Sequence, residues 1–556
     1  MSTIHEGEQE SECHILSQRK ALQYCLNIIK SSGYIPENTT LDVPWFAAKT
    51  SSLHPDWNDS WHPTVIPYAS ERLHSTSSTE LLTPWDAASN LQHVRHDALQ
   101  RMIDRLRQSC TVSDDASWQQ YNYNHQSIID VVNWNDDDGI TVLSLKHKFI
   151  YRNIPCIVKG LDKHEYLNIA KLWTRRQGES NSNSTNERIH SQINTEWFLT
   201  QLGEDCLVPI RHNVANIESP IQSSIDTQLD LEGRANECLT TIASLKQWVY
   251  LLQSKQYSNM NSPNDEDPNI YLKDWHLQQQ WESSHQKQAL FYMTPEIFQH
   301  DLLNDYLIKF TSGDYRFVYW GPIGSRTNLH SDVMNSLSWS YNVCGEKEWT
   351  FYIPKNYDTT SINHRQSFKV TQLSGDCLFV PAGWKHEVQN LVETVSINHN
   401  WVVPASLDLT WKCMLDEIEA VEKEMTSWGM ESFEIRERML LGCFGLDVSS
   451  LFLMILVGMI HQMKKLDLLP KDSNEKPSFD AIRPDSWELW FDLGCMISIG
   501  NTILIDSSTK HVVDLPRRLE ATLGDKTMAS NALQSYYFLR STCFEYYGLY
   551  TQGQRI

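Results

Sequence analysis

The hydrophobic and polar residues follow three different patterns along the chain, and each predicts a different kind of structure. Over residues 86–110, apolar positions recur about every 3.6 residues, which predicts an amphipathic helix. Residues 315–401 carry short runs rich in Trp, Tyr, Val and Phe between Gly, Pro and Asn, a pattern typical of strands and tight turns. After Pro404 the helical period returns over 407–428, with acidic residues opposite the apolar face. Further helix candidates follow at 486–499 and 532–546.

The central pattern predicts a β-rich domain. Its strand candidates are 316–320, 336–343, 348–353, 377–380 and 394–401. Short, evenly spaced strands with turn residues between them are expected in a sandwich or a barrel. We therefore predict an α+β protein with a partly helical N-terminal extension over 1–125, a central domain over 126–404 and a C-terminal helical region over 405–556.

Composition and charge narrow the class of protein. The 556 residues carry a net charge of −22, which argues against a general binder of nucleic-acid backbones because such a binder needs a basic face. We therefore expect no direct nucleic-acid partner, whereas a basic peptide or protein would be attracted. The twelve cysteines are scattered without a C-x-x-C pair, as expected for reduced thiols in a cytoplasmic or nuclear protein.

No segment predicts a membrane association. Residues 1–12 are polar and lack the apolar core of a signal peptide. The most hydrophobic run, residues 451–460, is too short to cross a bilayer and predicts a buried core helix.

Two motifs in the β-rich region carry side chains that bind metals. His330 and Asp332 are two positions apart, and in an extended segment such side chains share a face. His386 follows a strand candidate that ends in Pro-Ala-Gly, which would place it at a turn, on a neighbouring strand of the same barrel. Two imidazoles and one carboxylate form the facial triad of non-haem iron(II) oxygenases. We predict that these three residues form the catalytic metal site, with coordination positions left for a 2-oxo acid and dioxygen.

A His-x-Asp pair is a weak signal by itself, because the chain contains 21 histidines. A second pair, His54 and Asp56, lies in a proline-broken segment with no strand after it. A motif is only as informative as its structural context, so we do not expect this pair to bind a metal.

The residues around the first pair resemble the JmjC oxygenases. The resemblance rests on WGPIGSRTNLHSD (320–332), GEKEW (345–349) and GDCLFVPAGWKH (375–386). It implies a double-stranded β-helix, a cupin-like barrel, with flanking helices and with Fe²⁺ and 2-oxoglutarate inside, and O2 as the second co-substrate. It extends over about residues 126–430 and leaves both ends of the chain unmatched.

The resemblance also implies roles for two residues that bind the co-substrate. Lys347, seventeen positions after His330, matches the family lysine that pairs with the distal carboxylate of 2-oxoglutarate. The alternative is an exposed lysine in a turn beside Glu346 and Glu348. Thr327 matches a hydroxyl residue that assists at the same carboxylate.

Two further positions are predicted to lie near the co-substrate. Strand alternation puts Ser338, Ser340 and Asn342 on one polar face that would line the cavity. Many relatives carry asparagine at the position of Ser340. Asn400 matches a family asparagine near the cofactor, and the alternative is structural hydrogen bonding in a strand.

Other runs are similar to one branch of the family, which hydroxylates a lysine of the eukaryotic translation termination (release) factor. They are YLKDWH (271–276), DYRFVY (314–319), SWSYNVCG (338–345) and SINHNW (396–401). The similarity implies a 2-oxoglutarate-dependent protein lysyl hydroxylase of the cytoplasm, with the release factor as its protein partner. Alternatives are a histone N-methyl-lysine demethylase of the same family and a catalytically silent cupin-like scaffold.

We interpret His276 as structural and expect that the C-terminal helices either form a homodimer or cap the barrel.

Overall fold

A computed structural model gives the fold of the chain, and it divides into two compact units. The first comprises Met1–Asp97, His300–Gly313 and Val402–Ile556, and the second comprises Ala98–Gln299 and Asp314–Trp401. The described residues are 2–31, 91–109, 128–134, 140–163, 167, 171–176, 191–213, 227–229, 235–261, 270–284, 292–354, 367–469, 487–509 and 513–553.

Helices are found in both units. They are α1 (Ser2–Ser31), α2 (Leu91–Ser109), α3 (Val142–Leu145), α4 (Thr195–Leu202), α5 (Leu245–Asn261), α6 (Leu277–Ser284), α7 (Leu302–Phe310), α8 (Leu407–Ser427), α9 (Phe433–Phe444), α10 (Val448–Lys465), α11 (Trp487–Thr509), α12 (Leu515–Leu523) and α13 (Lys526–Gly553). Short π or 3-10 turns cover Lys146–Ile150, Leu161–Lys163, Glu296–Phe298, Val333–Asn335 and Pro404–Ser406.

The strands all belong to the second unit. They are β1 (Asp130–Asn133), β2 (Cys156–Lys159), β3 (Thr174–Arg176), β4 (Ser191–Ile193), β5 (Leu207–Asn213), β6 (Thr227–Leu229), β7 (Ala235–Ser244), β8 (Ile270–Trp275), β9 (Arg316–Gly321), β10 (Arg326–His330), β11 (Leu337–Cys344), β12 (Lys347–Tyr352), β13 (Ser367–Gln372), β14 (Cys377–Val380), β15 (Lys385–Asn390) and β16 (Thr394–Trp401).

These strands form a large mixed sheet, a small sheet and a separate β3–β4 ladder. The large sheet has the order β1-β2-β14-β11-β16-β9-β8-β5-β7-β6, and the small one has the order β10-β15-β12-β13. Between β9 and β16 the chain passes back and forth between the two sheets, with β9, β11, β14 and β16 in the large one. A large mixed sheet with many helices confirms the predicted α+β class.

The two sheets pack face to face on a hydrophobic core. Alternate residues of each strand point to the same side of a sheet, so a buried face collects every second side chain. The core contains Trp349, Phe351, Phe368, Val370 and Val388 from the small sheet, Ile157, Leu378 and Val380 from the large sheet, and Leu99, Met102, Ile103 and Leu106 from α2. The amphipathic helix predicted near the N-terminus thus covers one end of this core.

Most predicted elements of the central region are present with boundaries shifted by a residue or two. No strand was predicted over β13, although Phe368 and Val370 alternate with polar residues as in a half-buried strand. His386 lies on a neighbouring strand, as predicted, but inside β15 and just after the turn rather than in it.

The first unit is helical, and α10 lies at its centre. Nearly every residue of α10 is buried, including the apolar run predicted to form a core helix. A Cβ atom at Gly458 would lie 2.7 Å from Leu302 Cδ2 and 2.8 Å from Met496 Sδ, so a side chain there would prevent this packing.

Two helical segments among the described residues have the length and apolar composition of a membrane span. One is the window Trp487–Ser507, of which 61% is buried within the protein. The other is the pair α9 and α10 taken together, which is bent by 60°. Core helices of globular proteins have the same length and composition.

Candidate metal centre

Two neighbouring strands of the small sheet bring the two predicted histidine ligands together. β10 and β15 are antiparallel, and His330 lies directly opposite His386 in their register. The two imidazole ring centres are 4.3 Å apart. One potential ligand atom from each of His330, Asp332 and His386 lies within 4.8 Å of the other two. The structure therefore places all three predicted ligands around one point.

Asp332 is positioned by a tight turn. It precedes the 3-10 turn Val333–Asn335, in which Met334 and Asn335 have positive φ angles of 59° and 47°. Such backbone conformations are unfavourable for residues other than glycine and persist where the surrounding structure imposes them. The Ser338 hydroxyl donates a 2.8 Å hydrogen bond to Asp332 Oδ2, which orients the carboxylate and leaves Oδ1 available.

The hydrogen bonds of the two imidazoles suit metal binding. His330 Nδ1 lies 2.9 Å from the Asn328 carbonyl oxygen, and His386 Nδ1 lies 3.0 Å from the Trp384 carbonyl oxygen. A ring nitrogen that donates to a carbonyl carries the proton, so the Nε2 atom of each ring keeps its lone pair for a metal.

The electrostatics of His330 agree with this tautomer. Burial, followed by the nearby His386 and Lys273, lowers the pKa of His330 to about 3. The imidazole is therefore neutral at physiological pH, which is the form that binds a metal. Two imidazoles and one carboxylate are donors that divalent iron accepts, so the residues present fit an iron site.

A β-bulge in β10 gives Thr327 access to the same face as His330. Thr327 pairs with Val388 and His330 with His386, so three steps along β10 correspond to two along β15. The extra residue compensates for the odd spacing and leaves Thr327 and His330 on one side of the sheet. Without the bulge, side chains three positions apart would point to opposite faces.

Lys347 begins β12 and points to the same side of the small sheet as the histidines. It is buried, with 1% of its surface exposed, so it is not the exposed turn lysine of the alternative interpretation. Its ammonium donates a 2.6 Å hydrogen bond to the Ser396 hydroxyl of the large sheet. No carboxylate in the described part of the chain forms an ion pair with it. Burial, together with the charge of Lys273, lowers the pKa of Lys347 to about 7.

The polar face of β11 faces the same interior, as its alternation predicts. Ser338 lies opposite Asn400 and Ser340 lies opposite Asn398 on β16. The Ser340 hydroxyl is buried and has no hydrogen-bond partner among the described residues. Asn400 donates a 3.1 Å hydrogen bond to the Ser336 hydroxyl, as in the structural alternative for this residue. Ser340 therefore offers an unused polar group to a ligand.

Sequence reasoning missed a second charged group beside the site. Lys273 lies on β8 in the segment 271–276, which we interpreted as packing. Its ammonium is 5.7 Å from the centre of the Tyr319 ring, and its charge lowers the pKa of both His330 and Lys347. The only sequence signal was two charged residues inside an otherwise apolar strand.

His276 does not join the metal centre. His276 Nδ1 lies 2.7 Å from Asp314 Oδ1 and its ring packs on Phe317, so it has the structural role we predicted. The pair His54 and Asp56 lies outside the described residues.

The chain has recognisable relatives among known proteins. No family model matches it. It is 38% identical over 183 residues to the 2-oxoglutarate and iron-dependent oxygenase JMJD4 of Danio rerio, a match that spans 29% of this chain and 42% of the relative. It is 30% identical over 297 residues to JMJD4 of Mus musculus, across 48% of this chain and 68% of the relative. It is 38% identical over 209 residues to "Arginine-specific demethylase JMJ20" of Arabidopsis thaliana, across 30% of this chain and 44% of that protein.

Together the site and these relatives identify the class of protein. Two histidines and one carboxylate between two β-sheets are the arrangement found in mononuclear non-haem iron oxygenases. The chain belongs to the JmjC family of 2-oxoglutarate and iron-dependent oxygenases that includes JMJD4. The match spans less than half of the Danio rerio relative.

Proposed function

We propose that the protein is an iron(II)- and 2-oxoglutarate-dependent protein hydroxylase that uses O2 as its second co-substrate. The observation that carries the proposal is the uncompensated ammonium of Lys347 on the face that also presents His330 and His386. A buried cation without an anionic partner is costly, and a ligand carboxylate would remove that cost. The names of the JMJD4 relatives contain the same metal and the same oxo acid.

We further propose that β9 to β16 form a double-stranded β-helix. Eight consecutive strands divide equally between two sheets that pack face to face, with the orders β14-β11-β16-β9 and β10-β15-β12-β13. The candidate ligands lie between these sheets, where a closed wall of strands would keep water away from a reactive centre.

Each residue of the site has a defined task in this proposal. Iron(II), when bound with 2-oxoglutarate and O2, would supply the oxidation of an aliphatic C–H bond to an alcohol, with the oxo acid converted to succinate and CO2. His330, Asp332 and His386 would hold the metal from one side and leave the other side open. Lys347 would bind the distal carboxylate of 2-oxoglutarate, assisted by the hydroxyl of Thr327. Ser340 and Asn400 would line the same cavity.

For the substrate, we propose a lysine side chain of the translation termination factor. The support is the similarity of segments 271–276, 314–319, 338–345 and 396–401 to the release-factor branch, together with the acidic net charge of −22, which would attract a basic segment. We place the reaction in the cytoplasm, with a homodimer formed by the C-terminal helices as a further proposal.

A second candidate is demethylation. It is favoured by the relative named as an arginine-specific demethylase, which is 38% identical over 209 residues. Hydroxylation of an N-methyl group releases formaldehyde, so the same metal centre serves either reaction. The name of this relative suggests methyl-arginine as the substrate, whereas the demethylase alternative from the sequence acts on methyl-lysine.

The test loads the full chain with iron(II) and 2-oxoglutarate without oxygen and then admits air. A release-factor fragment, a histone peptide with methyl-lysine and a peptide with methyl-arginine are compared by mass spectrometry. The proposal predicts one added oxygen atom on a lysine of the release-factor fragment, together with succinate. Loss of a methyl group from either modified peptide would favour the demethylase. An absence of both iron binding and succinate would contradict both reactions and favour the silent scaffold.

A further inference from the structure

A bulge in β8 places two consecutive charged residues opposite one aromatic side chain. Leu272 pairs with Trp320 and Trp275 pairs with Val318, so Lys273 and Asp274 both lie opposite Tyr319 on β9. Asp274 has a φ of 61°, a left-handed conformation that is unfavourable for residues other than glycine. Bulges next to functional sites commonly redirect a side chain, and strain of this kind is retained where the surrounding fold requires it.

The Asp274 carboxylate already has two partners. Its Oδ1 accepts a 3.0 Å hydrogen bond from the Tyr319 hydroxyl, and its Oδ2 accepts a 3.1 Å hydrogen bond from Arg211. Although burial opposes ionisation, the charges of Lys273 and Arg211 lower the pKa of Asp274 below its usual value. The Asp274 carboxylate is therefore held by hydrogen bonds from Tyr319 and Arg211. The neighbouring Lys273 acts on this carboxylate through its charge.

The ammonium of Lys273 lies beside the metal centre without an ion pair of its own. It is half-buried, and no described carboxylate lies within ion-pairing distance of it. Its Nζ is 5.7 Å from the centre of the Tyr319 ring, and the Nζ of Lys347 is 5.9 Å from the same point. Its charge also acts on His330, at the metal end of the site.

Two cations around one half-buried ring repel each other and cost stability. The Asp274 carboxylate offsets part of this repulsion, but it is shared with Arg211. A dianion bound between the metal centre and Lys347 would face both ammonium groups and remove the repulsion.

We propose that Lys273 is a second anion-binding residue of the co-substrate site and that, together with Lys347, it determines the affinity for a dianionic 2-oxo acid. Lys347 binds the distal carboxylate, and Lys273 attracts the ligand from the Tyr319 side. Lys273 lies on the same side of β8 as Tyr271, two positions earlier, and the bulge adds Asp274 beside it. This inference rests on the proposed function, because it assumes that 2-oxoglutarate is the ligand.

The test measures the dissociation constant of 2-oxoglutarate for the full chain saturated with Mn²⁺, which occupies the metal site without oxygen chemistry. Isothermal titration calorimetry at two salt concentrations compares the wild type with Lys273→Met, Lys273→Arg and the control Lys148→Met. Lys148 is an exposed lysine of the same unit. We expect binding about 10-fold weaker for Lys273→Met, within about 3-fold for Lys273→Arg and unchanged for the control. The loss of affinity with added salt should also be smaller in Lys273→Met.

The outcomes separate the inference from the proposed function. Wild-type affinity and salt dependence in Lys273→Met would overturn the role of Lys273, provided that Lys347→Met binds weakly in the same assay. No binding of 2-oxoglutarate to the Mn²⁺-loaded wild type would instead overturn the proposed function. Thermal unfolding of each variant shows whether it is folded. If Lys273→Met is not folded, Lys273→Gln provides a shorter, polar and uncharged side chain, and the same loss of about 10-fold is expected of it.

Discussion

The Lys347 ammonium and the Ser396 hydroxyl are 2.6 Å apart and join the small sheet to the large one beside the metal centre. Ser396 Oγ also accepts a 2.9 Å hydrogen bond from the Asn398 side chain. Ser396 is neutral and takes one of the three ammonium protons, so among the described residues both the charge and the hydrogen bonds of Lys347 are only partly compensated.

Replacing Lys347 with methionine should change ligand binding and stability in opposite directions. Loss of the charge-assisted contact should weaken 2-oxoglutarate binding to the Mn²⁺-loaded protein by about 10- to 100-fold. Removal of an uncompensated buried charge should raise the free energy of unfolding of the ligand-free protein by roughly 1–4 kcal/mol. Calorimetry and urea denaturation measure the two effects, with Lys148→Met as the control. A lower stability together with unchanged binding would contradict the assignment.

The binding of 2-oxoglutarate should take up a proton above neutral pH. Burial and the charge of Lys273 lower the pKa of Lys347 from its ordinary value of 10.5 to about 7, so the ligand-free lysine is mostly neutral at pH 8. A bound carboxylate favours the charged form and restores the proton. Titrations at pH 8 in two buffers with different ionisation enthalpies should give different apparent enthalpies for the wild type but not for Lys347→Met. Identical enthalpies in the wild type would refute this prediction.

The same shift predicts how the stability of the ligand-free protein depends on pH. Between about pH 7 and 10.5 the unfolded chain keeps a proton on Lys347 that the folded protein has lost. Because the unfolded state binds more protons there, this group makes the folded state more stable as pH rises. Urea denaturation of the wild type and Lys347→Met across this range should show that the stability difference between them shrinks with rising pH. A stability difference that stays constant with pH would contradict the lowered pKa of Lys347.

The metal assignment predicts a sharp contrast among histidine variants. His330→Ala removes one of three ligands and should abolish both iron(II) binding and turnover. His93→Ala should have no effect, because 67% of the His93 side chain is exposed on α2. Asp56→Ala, in the other His-x-Asp pair, should also leave activity unchanged. Retained iron binding in His330→Ala would mean that the metal is held elsewhere.

Two neighbouring serines of β11 should behave differently. Ser338→Ala removes the hydrogen bond that orients Asp332 and should weaken metal binding by about 10-fold. Ser340→Ala removes a hydroxyl that has no partner among the described residues, so it should leave metal binding and stability close to wild type. Equal losses in both variants would show that the orientation of Asp332 is not the cause. Metal titration with thermal unfolding of each variant makes the comparison.

Much of the fold was visible in local patterns. Strands β9, β11, β12, β14 and β16 and helices α2, α8 and α10 follow from the period of their apolar residues. This works because burial of one face selects every second residue in a strand and every third or fourth in a helix. β13, at the edge of the small sheet, was missed although its polar and apolar residues alternate in the pattern of a half-buried strand.

In the site, too, some features were predicted from the sequence and others were not. The residue types and spacing of His330, Asp332 and His386 predicted the metal ligands, since an extended backbone and a known ligand set leave few arrangements. The positions of Thr327 and Asp274 depend on bulges in β10 and β8, and a bulge exists only relative to a partner strand.

By itself, therefore, the sequence determined which elements form and which side chains can bind iron, because these depend on neighbours along the chain. Only the tertiary structure decided that Lys347 is buried without a counter-ion and that Lys273 lies near it. Charge compensation depends on which strands pair and which sheets pack together. Such long-range contacts join residues far apart in the chain, and no local pattern records them.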